Sequence, residues 1–393
     1  MVLKKLFLKN FRNYIFLEAA FNGKFNFIYG NNGNGKTNIL EAISLVSLAK
    51  SFIGSGESDC VKQGEKSFIV KGDYVNDLDN DEIVSVEYDS DAKKKTFFLN
   101  KEKITSVSSE LFGKFPVVYL TPHSLNISYG NPSDRRKFFD ILISQTSRVY
   151  LDRLKELNRL LQLKNALLKD YVIFKRYSND EFNSLFNTYN EKLVEVSANI
   201  TFKRLNFLRE FIADFEKSYA LLVKDGGKGE ICYYSEFIGE IDVLKDKELS
   251  VEDLESVYKK RLAEFKKEET GRVLSLVGPQ RDDYVFKIAK SGDVFDLKNH
   301  GSQGEHKTFI VAVKLAEYEY LKSKKNTDPV LLLDDILSEL DENRVSQIIS
   351  HLKDYGQIFL TTIDRNYLNN IKQFYKDNEI SVFKVTNGEV VQE

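Results

Sequence analysis

The chain has 393 residues, 42% of them apolar and 30% charged, with only 5 prolines. That composition excludes wholesale disorder and leaves room for two or three domains with a sizeable core. The net charge of −2 argues, as an average, against a dedicated basic nucleic-acid binder.

The average conceals segregation. Residues 133–178 carry eleven Lys/Arg against five Asp/Glu, a net of +6, and residues 226–258 carry three against nine, a net of −6. Two cysteines, Cys60 and Cys232, exclude a disulfide framework and stand in no metal-ligand spacing. No apolar run reaches the roughly 18–20 residues of a membrane helix, so a reducing cytoplasm without a membrane partner is the expected setting.

In chain order, three short apolar strands are predicted at Leu3–Leu8, Tyr14–Phe21 and Phe25–Tyr29. The third runs into Gly30-Asn31-Asn32-Gly33-Asn34-Gly35-Lys36-Thr37-Asn38, after which Ile39, Leu40, Ile43, Leu45, Val46 and Ala49 recur at helical spacing. Phe68–Val75, Ile83–Tyr88 and Thr96–Leu99 read as an antiparallel meander, and Phe115–Leu120 as a buried strand. From Ser133 to about Ala220 the pattern is helical, with Leu154, Leu157, Leu161 and Leu168 on one face and, in the next segment, Tyr189, Leu193, Val196, Ile200, Phe207 and Phe211 approximating a three-four repeat. Two helices of about 40 residues would reach about 60 Å, which fits either a projecting arm or a buried bundle. Leu274–Val277 and Tyr284–Ile288 flank the turn Gly278-Pro279-Gln280-Arg281; then come a helix from Glu305 to Leu321, the strand Val330–Leu333, a further helix and the strand Gln357–Thr361. Strands alternating with helices imply a parallel α/β layer split by the helical segment. The expected division is 1–130, 131–270 and 271–393, with the middle part inserted into the body.

Gly30 to Thr37 matches the phosphate-loop pattern of Gly, four residues, then Gly-Lys-Ser/Thr, between an apolar strand and an amphipathic helix. Glycines let backbone N–H groups wrap a β-phosphate, and the helix N-terminus adds partial positive charge. Lys36 would reach the β- and γ-phosphates, and the Thr37 hydroxyl would ligate Mg²⁺. Such a loop needs an acidic group at the end of another apolar strand, and Val330-Leu331-Leu332-Leu333-Asp334-Asp335 supplies it. Asp334 would hold Mg²⁺ and Asp335 would polarise the attacking water. The alternative for the acidic pair is a helix cap.

Lys36 and Asp334 lie 298 positions apart, and Gly301-Ser302-Gln303-Gly304-Glu305 opens a helix between them. This combination resembles the ABC-type ATPase heads of the SMC and RecF group. The resemblance to the RecF recombination-repair family spans most of the chain. It rests on Leu8-Lys9-Asn10-Phe11-Arg12-Asn13-Tyr14, Gly30 to Asn38 with Glu41-Ala42, Gly130-Asn131-Pro132 leading to Arg135-Arg136, and Gly278-Pro279-Gln280-Arg281-Asp282-Asp283. Ser302-Gln303-Gly304 and Leu332 to Asp335 leading to Ser338-Glu339-Leu340-Asp341 complete it. The chain departs from the family at Gln280, where His is usual, and at His306-Lys307, where Gln-Arg is usual.

The resemblance implies an α/β fold, an ABC-type head of parallel phosphate-loop sheet and antiparallel β subdomain with an inserted α-helical arm. It implies ATP and Mg²⁺ as cofactors and a weak, DNA-dependent ATPase used as a switch. Ser302, Gln303 and Gly304 of one copy would cap the γ-phosphate held by another; Arg12 would lie near the phosphates, and Ser338 to Asp341 would report nucleotide state across the dimer. Implied partners are a second copy of the chain, double-stranded and gapped DNA, and RecO and RecR in promoting RecA loading.

Candidates for phosphate-directed DNA contact are Arg135, Arg136, Lys137, Arg148, Arg153 and Arg159 in the basic block. A transporter ATPase subunit is the main rival, but Thr361-Thr362 stand where such proteins carry a switch His. A long-armed SMC-like protein would need hundreds of heptad residues, and a kinase or GTPase leaves the Ser302 loop without a role.

Overall fold

The computed structural model describes residues 1–54, 56–223, 227–290, 292–336 and 342–393. Contacts divide the chain into two compact units, residues 1–125 with 310–393, and residues 126–309.

The first unit has two six-stranded sheets. One is antiparallel throughout, in the order Tyr14–Ala20, Val2–Phe11, Ser67–Val75, Asp81–Asp89, Lys94–Leu99, Glu102–Lys103. Its strands alternate cleanly; in Ser67–Val75, Phe68, Val70 and Tyr74 are buried while their neighbours are partly exposed. The other runs Glu389–Gln392, Ile380–Thr386, Phe25–Tyr29, Ile358–Thr362, Val330–Asp334, Val117–Leu120, parallel except for the C-terminal hairpin. Its strands Phe25–Tyr29, Ile358–Thr362 and Val330–Asp334 are buried at every position, as a sheet covered on both faces requires. Helix Lys36–Leu48 touches strands of both sheets and is buried nearly all round. The core includes Leu3, Leu6, Phe11, Ile39, Ile43, Val46, Val70 and Leu332.

The second unit holds helices Pro132–Thr146, Arg148–Val172, Asn179–Leu222, Val251–Glu264 and Lys266–Arg272. It also holds an antiparallel sheet ordered Gly239–Ile241, Gly229–Ser235, Asp283–Lys290, Asp293–Asp296. Of the two long helices expected, one exists: Asn179–Leu222 has 44 residues, about 66 Å at 1.5 Å per residue. The other is broken at Ser147, whose extended backbone lets its Oγ accept from Tyr150 N at 3.3 Å and start a new helix. Val251–Glu264 packs along Asn179–Leu222. Leu167, Leu168, Phe182 and Phe186 make a small separate core.

Leu274–Val277, ahead of the turn at 278–281, has no strand structure. The acidic stretch contains the strand Gly229–Ser235, which pairs with Asp283–Lys290. The contact division falls at 309/310, and the second sheet groups with the helices, because its hydrogen-bonded partners lie within 229–296.

Candidate nucleotide site

The loop between strand Phe25–Tyr29 and helix Lys36–Leu48 has backbone torsions that side chains resist. Gly30, Gly33 and Gly35 have φ of 155°, 80° and 111°. A Cβ at Gly30 would run into the Val385 carbonyl oxygen, and one at Gly35 would stand 2.6 Å from Asn13 Nδ2. The loop is braced from both flanks. Asn13 Nδ2 donates to the Asn34 carbonyl at 2.8 Å, Tyr14 OH to that of Gly35 at 3.0 Å, and Asn38 Nδ2 to Asn13 Oδ1 at 2.8 Å. From the C-terminal hairpin, Gly388 N donates to the Asn34 carbonyl at 3.1 Å, and Asn34 Nδ2 donates to that of Val385, also at 3.1 Å. These braces come from residues far away in sequence, and no local signal marks them.

Lys36 Nζ donates to the carbonyls of Gly30 at 2.7 Å and Asn31 at 3.0 Å, so the ammonium sits inside the curl of the loop. Burial holds its pKa below the ordinary lysine value, against the opposing pull of Asp335 and Asp334. A buried ammonium with only carbonyl partners is poised to gain from an anion.

Strand Val330–Asp334 delivers its terminal carboxylate to the same place. Thr37 Oγ1 donates to Asp334 Oδ1 and Oδ2, both at 3.0 Å, and Thr361 Oγ1 donates to Oδ1 at 2.7 Å. The parallel register sets Asp334 opposite Thr361. Asp335 follows in left-handed conformation, φ 50°, its N–H donating to the carbonyl and hydroxyl of Thr361 at 3.1 Å each. Thr361, where a transporter would have its switch His one strand over, is therefore a support of the acidic pair.

No group of three or more His, Cys, Asp or Glu converges on a metal position among the described residues. A hydroxyl and one carboxylate nonetheless fit Mg²⁺, which takes hard oxygen ligands and is commonly held by one or two protein groups plus phosphate and water. Asn32 is exposed.

Arg12 is paired with the helix that follows the loop. Its Nε and Nη2 donate to Glu41 Oε2 and Oε1 at 2.7 and 2.6 Å, and Nη1 to the Asp59 carbonyl at 2.7 Å. Glu41 is fully buried and also accepts from Ser51 Oγ at 2.6 Å. The hydrogen bond to Glu41 raises the Arg12 pKa further. In this arrangement Arg12 braces the helix that follows the loop, and losing it would leave a buried carboxylate unpaired.

In the second unit Ser302, Gln303 and Gly304 form the start of helix Gln303–Lys325. Ser302 N donates to Glu305 Oε2 at 2.7 Å, while Glu305 N donates to Ser302 Oγ at 3.3 Å, a reciprocal cap that fixes the loop; Lys290 Nζ adds a bond of 2.9 Å to Glu305. Behind it His306 is fully buried and stacks on Tyr129 with ring centroids 3.8 Å apart.

Burial lowers the His306 pKa, opposed in part by Glu305 and Asp296. The folded state therefore resists protonation, and its stability falls as pH drops below the ordinary histidine value, where only the unfolded chain takes up the proton. Urea midpoints at pH 7.5 and 5.5 should differ less for His306→Gln than for the unaltered chain; an equal difference would remove His306 as a source of acid sensitivity.

Ser338-Glu339-Leu340-Asp341 lies outside the described residues. Of the candidates for DNA contact, Arg135 is excluded: its side chain is buried and bidentate to Asp283 at 2.8 Å through both Nε and Nη2. Arg153 is shared between Glu156 and Glu195, each at 2.9 Å. Lys137, Arg148 and Arg159 are exposed.

The family model for the RecF/RecN/SMC N-terminal domain matches residues 2–390. The DNA replication and repair protein RecF of Chlorobium luteolum is 35% identical over 93% of this chain and 94% of its own length. The chain belongs to the RecF family. A solved structure of the recombination mediator protein RecF with ATP, in the RecFOR pathway, superposes with a TM-score of 0.83 at 32% identity, covering 100% of this chain and 99% of its own. An SMC head domain from Pyrococcus furiosus superposes at 0.57 and 18% identity, covering 100% and 96%, which extends the likeness of fold to ABC-type SMC heads. The fold is thus the α/β ABC-type ATPase head of the RecF and SMC group. Among the described residues no helix is long and apolar enough to cross a membrane.

Proposed function

We propose that this RecF-family chain is an ATP-driven clamp on DNA in replication and recombinational repair, joined as a dimer by ATP and released by slow hydrolysis. The observation that carries the nucleotide part is the meeting of Thr37 and Asp334 at 3.0 Å beneath a glycine loop that encloses an ammonium.

Lys36 exchanges the carbonyls of Gly30 and Asn31 for phosphate oxygens, and the backbone N–H groups of 30–38 wrap the β-phosphate. Thr37 and Asp334 would hold Mg²⁺, which would supply charge neutralisation to the phosphates. Asp335, held by its N–H on Thr361, orients and polarises water at the γ-phosphate. Ser302 Oγ and the N–H groups at the start of helix Gln303–Lys325 cap the γ-phosphate held by a second copy, with Gln303 and Gly304 completing that loop. Dimer stability then depends on nucleotide by mass action. Duplex DNA at single-strand gaps is the substrate of the closed dimer, and RecO and RecR are its partners in promoting RecA loading. ATP turnover is weak and DNA-dependent, as suits a switch.

Sedimentation with and without MgATP, repeated with gapped duplex DNA at two salt concentrations, tests this reading. The unaltered chain should dimerise only with ATP and bind DNA more weakly at higher salt. Ser302→Arg should bind ATP as a monomer. Normal ATP-dependent dimerisation of that variant would overturn the capping role.

A further inference from the structure

The turn Gly278-Pro279-Gln280-Arg281-Asp282-Asp283 has no place in the nucleotide chemistry, yet the second unit is organised around it. Arg204, fully buried, donates to the Pro279 carbonyl at 2.7 Å, and Arg136 Nη1 to that of Asp282 at 2.6 Å. Arg135 grips Asp283 with two bonds of 2.8 Å, and Tyr233 OH donates to the Asp282 carboxylate. Gln280 Nε2 closes back on the Val277 carbonyl at 3.1 Å, and Gly278, at φ 140°, permits the close turn.

Arg281 is the exception. Its side chain is exposed and makes no hydrogen bond or ion pair among the described residues. Three arginines and a tyrosine immobilise a turn whose one outward cation is Arg281. A rigid support of this kind is what a binding group needs.

Arg281 stands on a cleft of about 670 Å³ that it lines with Arg136, Ser133, Asn131 and Gln280, and with Glu236 as the acidic member. Asn131 caps helix Pro132–Thr146, so the N-terminal end of a 15-residue helix opens here too. Arg136 is half-buried, and burial, with a smaller contribution from the charge of Arg204, lowers its pKa against the opposing pull of Asp283, Asp140 and Asp282.

We propose that this cleft is an oxyanion site that takes a phosphodiester group of the nucleic-acid backbone, with Arg281 and Arg136 as its cations and Ser133 as a hydroxyl donor. The proposal rests on the DNA-clamp reading above. It gives that reading a fixed phosphate contact in the second unit.

The test is duplex-DNA affinity of the full chain with MgATP across a salt series, for the unaltered protein, Arg281→Gln and Glu236→Gln. Arg281→Gln should weaken binding about threefold to tenfold and flatten the plot of log K against log salt by about 0.9, the loss of one phosphate contact. Glu236→Gln should tighten binding, an outcome that damage to the fold would not produce. Thermal midpoints of both variants should match the parent, since both side chains are exposed. Unchanged affinity and slope in Arg281→Gln, with salt-dependent binding by the parent, would overturn the site while leaving the clamp reading intact. Weakened ATP binding with unchanged DNA binding would overturn it as well, because the anion would then come from the nucleotide. A parent that binds no duplex at any salt would instead remove the clamp reading, and with it the phosphodiester assignment.

Discussion

Lys36→Met is expected to weaken MgATP binding by about 100-fold or more and to abolish ATP-dependent dimerisation. Hydrogen bonds from a charged donor contribute about 1.5–3 kcal/mol each, and the ammonium is placed to make more than one to the phosphates. The fold should survive, because the methionine stem replaces the lysine stem and the two carbonyls that Nζ meets, at Gly30 and Asn31, belong to the loop and can be hydrated. Titration with a fluorescent ATP analogue, alongside sedimentation, reads both effects. Binding within about threefold of the parent, or retained dimerisation with ATP, would show that Lys36 is not the phosphate ligand.

Arg204→Ala is expected to cost the second unit about 3–5 kcal/mol, the penalty for leaving buried partners of a charge uncompensated. Arg204 bonds Asp140 through Nε at 3.0 Å and Nη2 at 2.9 Å, Tyr150 OH at 3.0 Å and the Pro279 carbonyl at 2.7 Å. Asp282, fully buried, lies 3.9 Å from the same guanidinium, and its pKa is raised because burial outweighs the pull of Arg204. Arg204→Lys should recover only part of the loss, since a compact ammonium cannot reproduce the planar fork that reaches all of these partners. Urea unfolding followed by far-ultraviolet circular dichroism is suited to a chain without tryptophan. A loss under about 1 kcal/mol would mean that the turn at 278–283 holds its shape without this network.

Much of the nucleotide site is legible in the amino-acid sequence alone. The phosphate loop is a local pattern, in which glycine at fixed offsets, Lys36 and Thr37 act through backbone that is contiguous in sequence. The Asp334-Asp335 pair is legible because the apolar run Val330 to Leu333 announces a buried strand whose end must face a site. Arg12 and Arg135 show the opposite. Their partners lie far off in the chain: Arg12 pairs with Glu41 and Arg135 with Asp283, 29 and 148 residues away. A lone sequence cannot say whether an arginine will find a carboxylate, because that depends on which distant segments the fold brings within about 3 Å.

By itself, then, the sequence determined what short-range order can encode: the strand, loop and helix with the phosphate-loop pattern, the acidic strand end, the cap at Ser302 and Glu305, and the alternation of strands with a long helical insertion. Only the tertiary structure decided which charges are turned inward and which are left for a ligand. It broke the first long helix at Ser147, recruited Gly229–Ser235 from the acidic stretch into a sheet, and tied Arg135, Arg136 and Arg204 to one turn while leaving Arg281 exposed. The physical reason is desolvation: a charge withdrawn from water must be paired, and the pairing partner is chosen in three dimensions.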